Sequence, residues 1–118
     1  MRARFVLAFA AMACSSTPGL AHAFLQRADP AAGTSFPLAR APKRVSLTLS
    51  EKLEPAFSGL AVTDSSGRNM AAAPVTVGGS SMIAPLRSLR PGRYRVVWHA
   101  VSVDTHRTEG AYSFTVKP

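Results

Sequence analysis

From Lys43 onward the chain alternates apolar and polar residues with a period of two. Val45, Leu47 and Leu49 fall on one side of a first segment, with Arg44, Ser46, Thr48 and Ser50 on the other. That is the pattern of a strand with one buried face. Glu51 shares the parity of the apolar side, at the strand's end. Leu60 and Val62 continue the alternation, which stops at the turn Asp64-Ser65-Ser66-Gly67. Val75 to Val77 and Met82 to Leu86 flank Gly78-Gly79-Ser80, a hairpin signal. After a further turn, Leu89-Arg90-Pro91-Gly92, the residues Tyr94, Val96, Trp98 and Ala100 share one face of the longest strand. Tyr112, Phe114 and Val116 repeat the pattern near the C-terminus. Asp29-Pro30-Ala31-Ala32-Gly33 and Ala41-Pro42 read as loops that bring an N-terminal strand onto the rest. Short strands separated by Pro/Gly turns predict an all-β protein, an immunoglobulin-like β-sandwich of about seven strands. Tyr94, Trp98 and Phe114 belong in its core. His99 has the opposite parity to Trp98 and belongs in solvent.

The first 23 residues break the pattern. Arg2 and Arg4 precede an apolar run from Phe5 to Ala13, followed by the small-residue stretch Pro18-Gly19-Leu20-Ala21-His22-Ala23. The run is too short to span a bilayer, which takes about 20 residues, and the three-part order is that of a secretory signal. Three processing routes are open. Cleavage after Ala21 leaves His22 as the first residue. Cleavage after Ala23 fits the Ala-x-Ala rule better and discards the histidine. Lipoprotein processing at Cys14 retains His22 but buries it inside the chain.

Removing residues 1 to 21 of the 118 leaves 97, enough for one domain with a single core. Cys14 is the only cysteine and leaves with the signal. Tetracysteine zinc sites, CxxC redox chemistry and cysteine nucleophiles are therefore excluded. Arg2 and Arg4 leave as well, which lowers the formal net charge from +8 to +6. A basic exported domain suits a solvated surface, an anionic membrane or an acidic partner. The cations are scattered without the aromatic interleaving of a nucleic-acid module, so no nucleic-acid partner is expected. A monomer is expected.

His22, Asp104 and His106 are the candidate chemistry. An N-terminal histidine offers a metal its α-amine and its imidazole together. Asp104 and His106 are two apart in Val101-Ser102-Val103-Asp104-Thr105-His106. In an extended segment, both side chains project to the same side. Brought together, the two segments make a nitrogen-rich site suited to Cu(II). Each donor binds only when deprotonated, so affinity is expected to fall steeply below about pH 6.

The chain resembles the CopC copper-resistance family. The resemblance lies in His22-Ala23 with Leu25, then Asp29-Pro30-Ala31-x-Gly33, Ala41-Pro42 and Leu49-Ser50-Glu51. It continues in Leu89-x-Pro91-Gly92-x-Tyr94-x-Val96-x-Trp98, Val101-Ser102-x-Asp104-x-His106 and Gly110-x-Tyr112-x-Phe114-x-Val116. It implies an exported, cupredoxin-like sandwich over residues 22 to 118 that binds one Cu(II). It also implies a periplasmic location, with cleavage after Ala21. Carried over by motif position, the metal residues are His22, Asp104, His106 and Glu51. The implied role is a carrier or buffer in copper homeostasis, partnered by an inner-membrane copper transport protein of the CopD type.

There are departures from the family pattern. Met70 and Met82 are far apart in no Met-x-x-Met cluster, so a separate Cu(I) site is not expected. Arg107 and Glu109 replace the family's usual proline and small residue, and Glu109 is placed to add charge near the site or pair with Arg107. His99 stands where arginine is common. Two other readings compete: a copper oxygenase with a histidine brace, and a metal-free sandwich used for docking. The oxygenase reading wants a flat aromatic surface, and this chain has 1 Trp and 2 Tyr.

Overall fold

A computed structural model describes residues 24–118; the expected export signal, with its cleavage point, and His22 lie outside the described residues. Eight strands form two four-stranded sheets: β1 Leu25–Asp29, β2 Ser35–Pro37, β3 Arg44–Leu49, β4 Gly59–Thr63, β5 Thr76–Gly78, β6 Ser81–Pro85, β7 Gly92–Val101 and β8 Arg107–Lys117. The first sheet has the order β1-β3-β6-β5 and the second β2-β8-β7-β4. The expected alternation sets the inner faces. Val45, Leu47, Leu49, Met82 and Ala84 point inward from the first sheet, and Val62, Val96, Ala100, Phe114 and Val116 from the second, all buried. Tyr94 stacks on Phe114 with centroids 5.4 Å apart, and Phe36 meets Phe114 edge-on at 6.3 Å. The Tyr94 hydroxyl donates to the Arg90 carbonyl at 2.6 Å, which ties the turn before β7 to the core. Met70 and Met82 are core residues, and His99 is exposed.

The strand beyond the seven expected is β2. It pairs in parallel with the end of β8, Ser35 opposite Thr115 and Pro37 opposite Lys117. The loop after Asp29 carries the chain from the first sheet to the second. There Gly33, at φ +75°, donates its N–H to Ser113 at 2.8 Å. A proline at the edge of a sheet loses no ladder bond that matters, which is why Pro37 is tolerated.

Gly110 sits opposite Trp98 in the β7–β8 ladder. A Cβ there would lie 2.8 Å from Cε2, Cζ2 and Nε1 of the indole. Gly110→Ala is therefore expected to displace Trp98 and lower stability by about 1–3 kcal/mol. Urea unfolding of the variant measures this, and an unchanged midpoint would show that the indole can shift freely.

Candidate metal centre

The two sheets expose one end at which the β7–β8 hairpin, the segment after β3 and the start of the described chain come together. Val101 pairs with Arg107 as the last rung of β7 and β8. Between them the chain turns tightly. Ser102 N–H donates to His106 O at 2.9 Å, and Thr105 N–H donates to Ser102 O at 2.9 Å. Thr105 takes the left-handed conformation, φ 74°. Asp104 and His106 thus share a side because the backbone reverses around Thr105. The expected extended segment, with its strand alternation, is absent here.

Ser102 organises this turn. Its side chain is 0% exposed, the one polar residue in the buried set. Its hydroxyl donates to Asp104 Oδ1 and accepts the His106 N–H at 3.2 Å. Asp104 Oδ2 in turn lies 3.1 Å from His106 Nδ1. The Ser102 hydrogen bond, opposed by partial desolvation and helped by the His106 imidazole, holds the Asp104 carboxyl below the usual carboxylate range. The carboxylate beside Nδ1 fixes the ring, as such partners do for a metal-binding imidazole.

Glu51 comes from the other sheet. The chain after β3 runs back along the hairpin: Leu53 bridges Ser102, Val103 N–H donates to Lys52 O at 3.0 Å, and Glu54 N–H donates to Val101 O at 2.8 Å. Leu53 is buried and anchors this segment in the core. Glu51, Asp104 and His106 then offer one donor atom each, all within 4.8 Å of one another. Two donors about 2.0–2.2 Å from one cation are at most about 4.4 Å apart. Side-chain rotation of these half-exposed groups closes the difference.

The start of the described chain lies alongside. Phe24 N–H donates to Ser50 Oγ at 2.7 Å, and Ser50 N–H donates to Phe24 O at 2.8 Å. The chain therefore arrives next to the residue that precedes Glu51. His99 is outside the cluster; its ring packs over Gly59. Glu109 faces His99 across the ladder. It forms no ion pair with Arg107, since the ion pair among the described residues is Asp104–His106.

Ser102, which the pattern alone did not single out, holds the candidate site's turn together. A serine closing a strand two positions before an aspartate is the available signal, because such hydroxyls tie turns together. Ser102→Ala is expected to weaken metal binding by about 10–100-fold, as loss of an orienting partner does. It is also expected to destabilise the fold by about 1–3 kcal/mol, since the His106 N–H loses its acceptor. Calorimetric titration and thermal unfolding read the two effects separately. An unchanged affinity would remove Ser102 from the site.

The CopC domain model matches residues 25–117. The chain belongs to the CopC family. It is 37% identical over 118 residues to Protein YobA of Escherichia coli (strain K12), covering 97% of this chain and 94% of that protein. Its fold is similar to the crystal structure of CopC from Methylosinus trichosporium OB3b, with a TM-score of 0.72 and 31% identity, over 82% of this chain and 95% of that one. It is also similar to PcoC, a methionine-rich copper resistance protein from Escherichia coli, with a TM-score of 0.69 and 40% identity, over 82% of this chain and 100% of that one. The family's β-sandwich is the fold seen here. Unlike a methionine-rich member of the CopC family, this chain keeps both methionines of its folded domain, Met70 and Met82, in the core.

Proposed function

We propose that this chain is an exported copper-binding protein of copper resistance, a carrier or buffer that holds one Cu(II). The observation that carries the reading is the convergence of Glu51, Asp104 and His106, drawn from both sheets, with their donor atoms within 4.8 Å. His22 completes the site. It stands two residues before Phe24, which is bonded to Ser50 on both sides of its peptide. Two residues reach about 7 Å, and Phe24 is tied to the residue that precedes Glu51. Cleavage after Ala21 would free its α-amine, giving two nitrogens beside that of His106. Cu(II) takes such nitrogen and oxygen donors in a tetragonal plane. Asp104 orients His106 and balances the metal's charge, and Glu51 adds a carboxylate from the first sheet. The compartment is the periplasm, and the receiving partner is an inner-membrane copper transport protein of the CopD type.

This role is binding without turnover. The oxygenase reading finds no platform in Trp98 or Tyr94, which are buried. Intact mass on the exported protein, followed by Cu(II) titration with electron paramagnetic resonance, tests the proposal. A mass beginning at His22 and a single type-2 signal with nitrogen hyperfine structure are the expected results. A mass beginning at Phe24 would sink it.

The pH dependence has a definite sign. Asp104 is held below the usual carboxylate range, so it stays ionised across neutral and mildly acidic pH. Protons then compete with copper at the imidazoles and the amine, which ordinarily titrate near ~6.5 and ~7.7–8.0. Affinity is expected to be steady above about pH 8 and to fall steeply below about pH 6. Titrations in a series of buffers check this; a flat profile would contradict nitrogen ligation.

A further inference from the structure

Most of the domain's acidic residues lie toward one end. Glu51, Glu54, Asp104 and Glu109 lie on the half that holds the metal loops, where β7 passes into β8. The opposite end is built from the turns between β4 and β5 and between β6 and β7, with the approach to β3. Hydrogen bonds join these pieces: Leu86 N–H to Lys43 O at 2.9 Å, and Arg87 N–H to Met70 O at 2.9 Å. A cleft of about 480 Å³ opens there, and Arg68, Arg87 and Arg90 line it with Ser88.

Its one carboxylate, Asp64, is held ionised by local hydrogen bonds and by the charge of Arg68. Asp64 Oδ1 accepts from Ser66 N–H at 2.9 Å, Ser66 O–H at 2.7 Å and Arg68 N–H at 2.9 Å. Among the described residues no arginine or lysine forms an ion pair; the pair present is Asp104–His106. Arg87 Nε is held by the Ala71 carbonyl at 3.3 Å. Beside this cleft a second one joins Arg87 to Lys43 and Leu38. Leu38 is 45% exposed, the one large apolar side chain left open at this end among the described residues.

We propose that this arginine-lined end docks the protein on an anionic phospholipid surface, with the metal loops turned away from the bilayer. Guanidinium groups match phosphate oxygens in paired hydrogen bonds, better than a lysine point charge does. A cleft with three of them against the single carboxylate of Asp64, whose charge acts on Arg68, keeps an excess of positive charge for a phosphate headgroup. Leu38, flanked by cations, enters the boundary between headgroups and acyl chains. An acidic protein would satisfy the arginines but offers no reason for an open leucine among them. The ten residues of β7 separate the two ends by about 33 Å. Copper therefore reaches the loaded end from the aqueous side while the carrier stays at the membrane. The inference is independent of the copper site, since it uses none of its residues.

Sedimentation with sucrose-loaded vesicles tests it, on protein that begins at His22. Binding is expected to vesicles of phosphatidylcholine and phosphatidylglycerol in equal parts, to be weak on phosphatidylcholine alone, and to fall with added salt. Arg68→Gln, Arg87→Gln and Arg90→Gln combined should reduce it on the order of 100-fold, at a factor of roughly five per charge. Leu38→Ser should reduce it several-fold with the charge unchanged. Lys52→Gln and Arg107→Gln combined, at the metal end, should leave it within about twofold. Far-ultraviolet circular dichroism and thermal unfolding confirm that each variant is folded. Equal binding to both vesicle types would overturn the proposal. So would equal losses from the two sets of charge variants, or preferential capture by polyglutamate over the vesicles.

Discussion

His106→Ala is expected to weaken Cu(II) binding by more than about 100-fold, beyond the 10–100-fold typical of losing an orienting partner. The imidazole is the one nitrogen donor that the described residues contribute to the cluster. Its loss also releases Asp104 Oδ2, which faces His106 Nδ1 at 3.1 Å. Asp104→Asn should cost about 10–100-fold, because it removes a charge and the oriented acceptor while sparing every nitrogen. Glu51→Gln should cost least. His106 is exposed and outside the core, so the copper-free variant should unfold at nearly the native temperature. Competitive titration against a chelator gives the ranking. Native-like affinity in His106→Ala would dismantle the proposed site, whatever the other variants do.

Adding one alanine ahead of His22 is the second large effect. It converts the α-amine into a peptide nitrogen and leaves every side chain in place. A chelate that ordered one residue to supply two donors is lost, and affinity is expected to drop by about 100-fold or more, comparable with the loss of a ligand. The nitrogen hyperfine pattern should change with it. The fold should not, because Phe24 remains bonded to Ser50 through both its N–H and its carbonyl. An extended chain that binds copper as tightly as the processed one would show that the amine is not a ligand.

The strands that face water on one side were legible from their residues. Val45, Leu47 and Leu49, and likewise Tyr94 to Ala100, alternate because one face packs on the opposite sheet. The edge strands were less so. β1 carries exposed Gln26 and Arg27 and an irregular register at Leu25/Arg27, and β2 has three residues ending in proline. Neither has enough buried positions to set a period, and the parallel pairing of β2 with β8 depends on a crossover that no local pattern encodes. At the site, Asp104 and His106 stood out as chemistry. The turn that joins them did not, since a left-handed Thr105 is imposed by Ser102 and the closing hairpin against its own preference. Glu51 was visible through family resemblance alone; its place depends on Leu53 docking beside Ser102, a contact between residues 49 apart in sequence.

The proposed donors belong to different layers. Glu51 and the N-terminal segment follow the first sheet, and Asp104 and His106 follow the second. Copper bound at the proposed site would be a fastening across the sandwich, closing the β1 edge onto the β7–β8 hairpin as a disulfide would. At free copper a thousandfold above the dissociation constant, this adds about 4 kcal/mol to the folded state. Proteases that cut opened chains act on the open population. They would clear the empty protein and spare the filled one, so the copper supply itself would set how long each molecule survives.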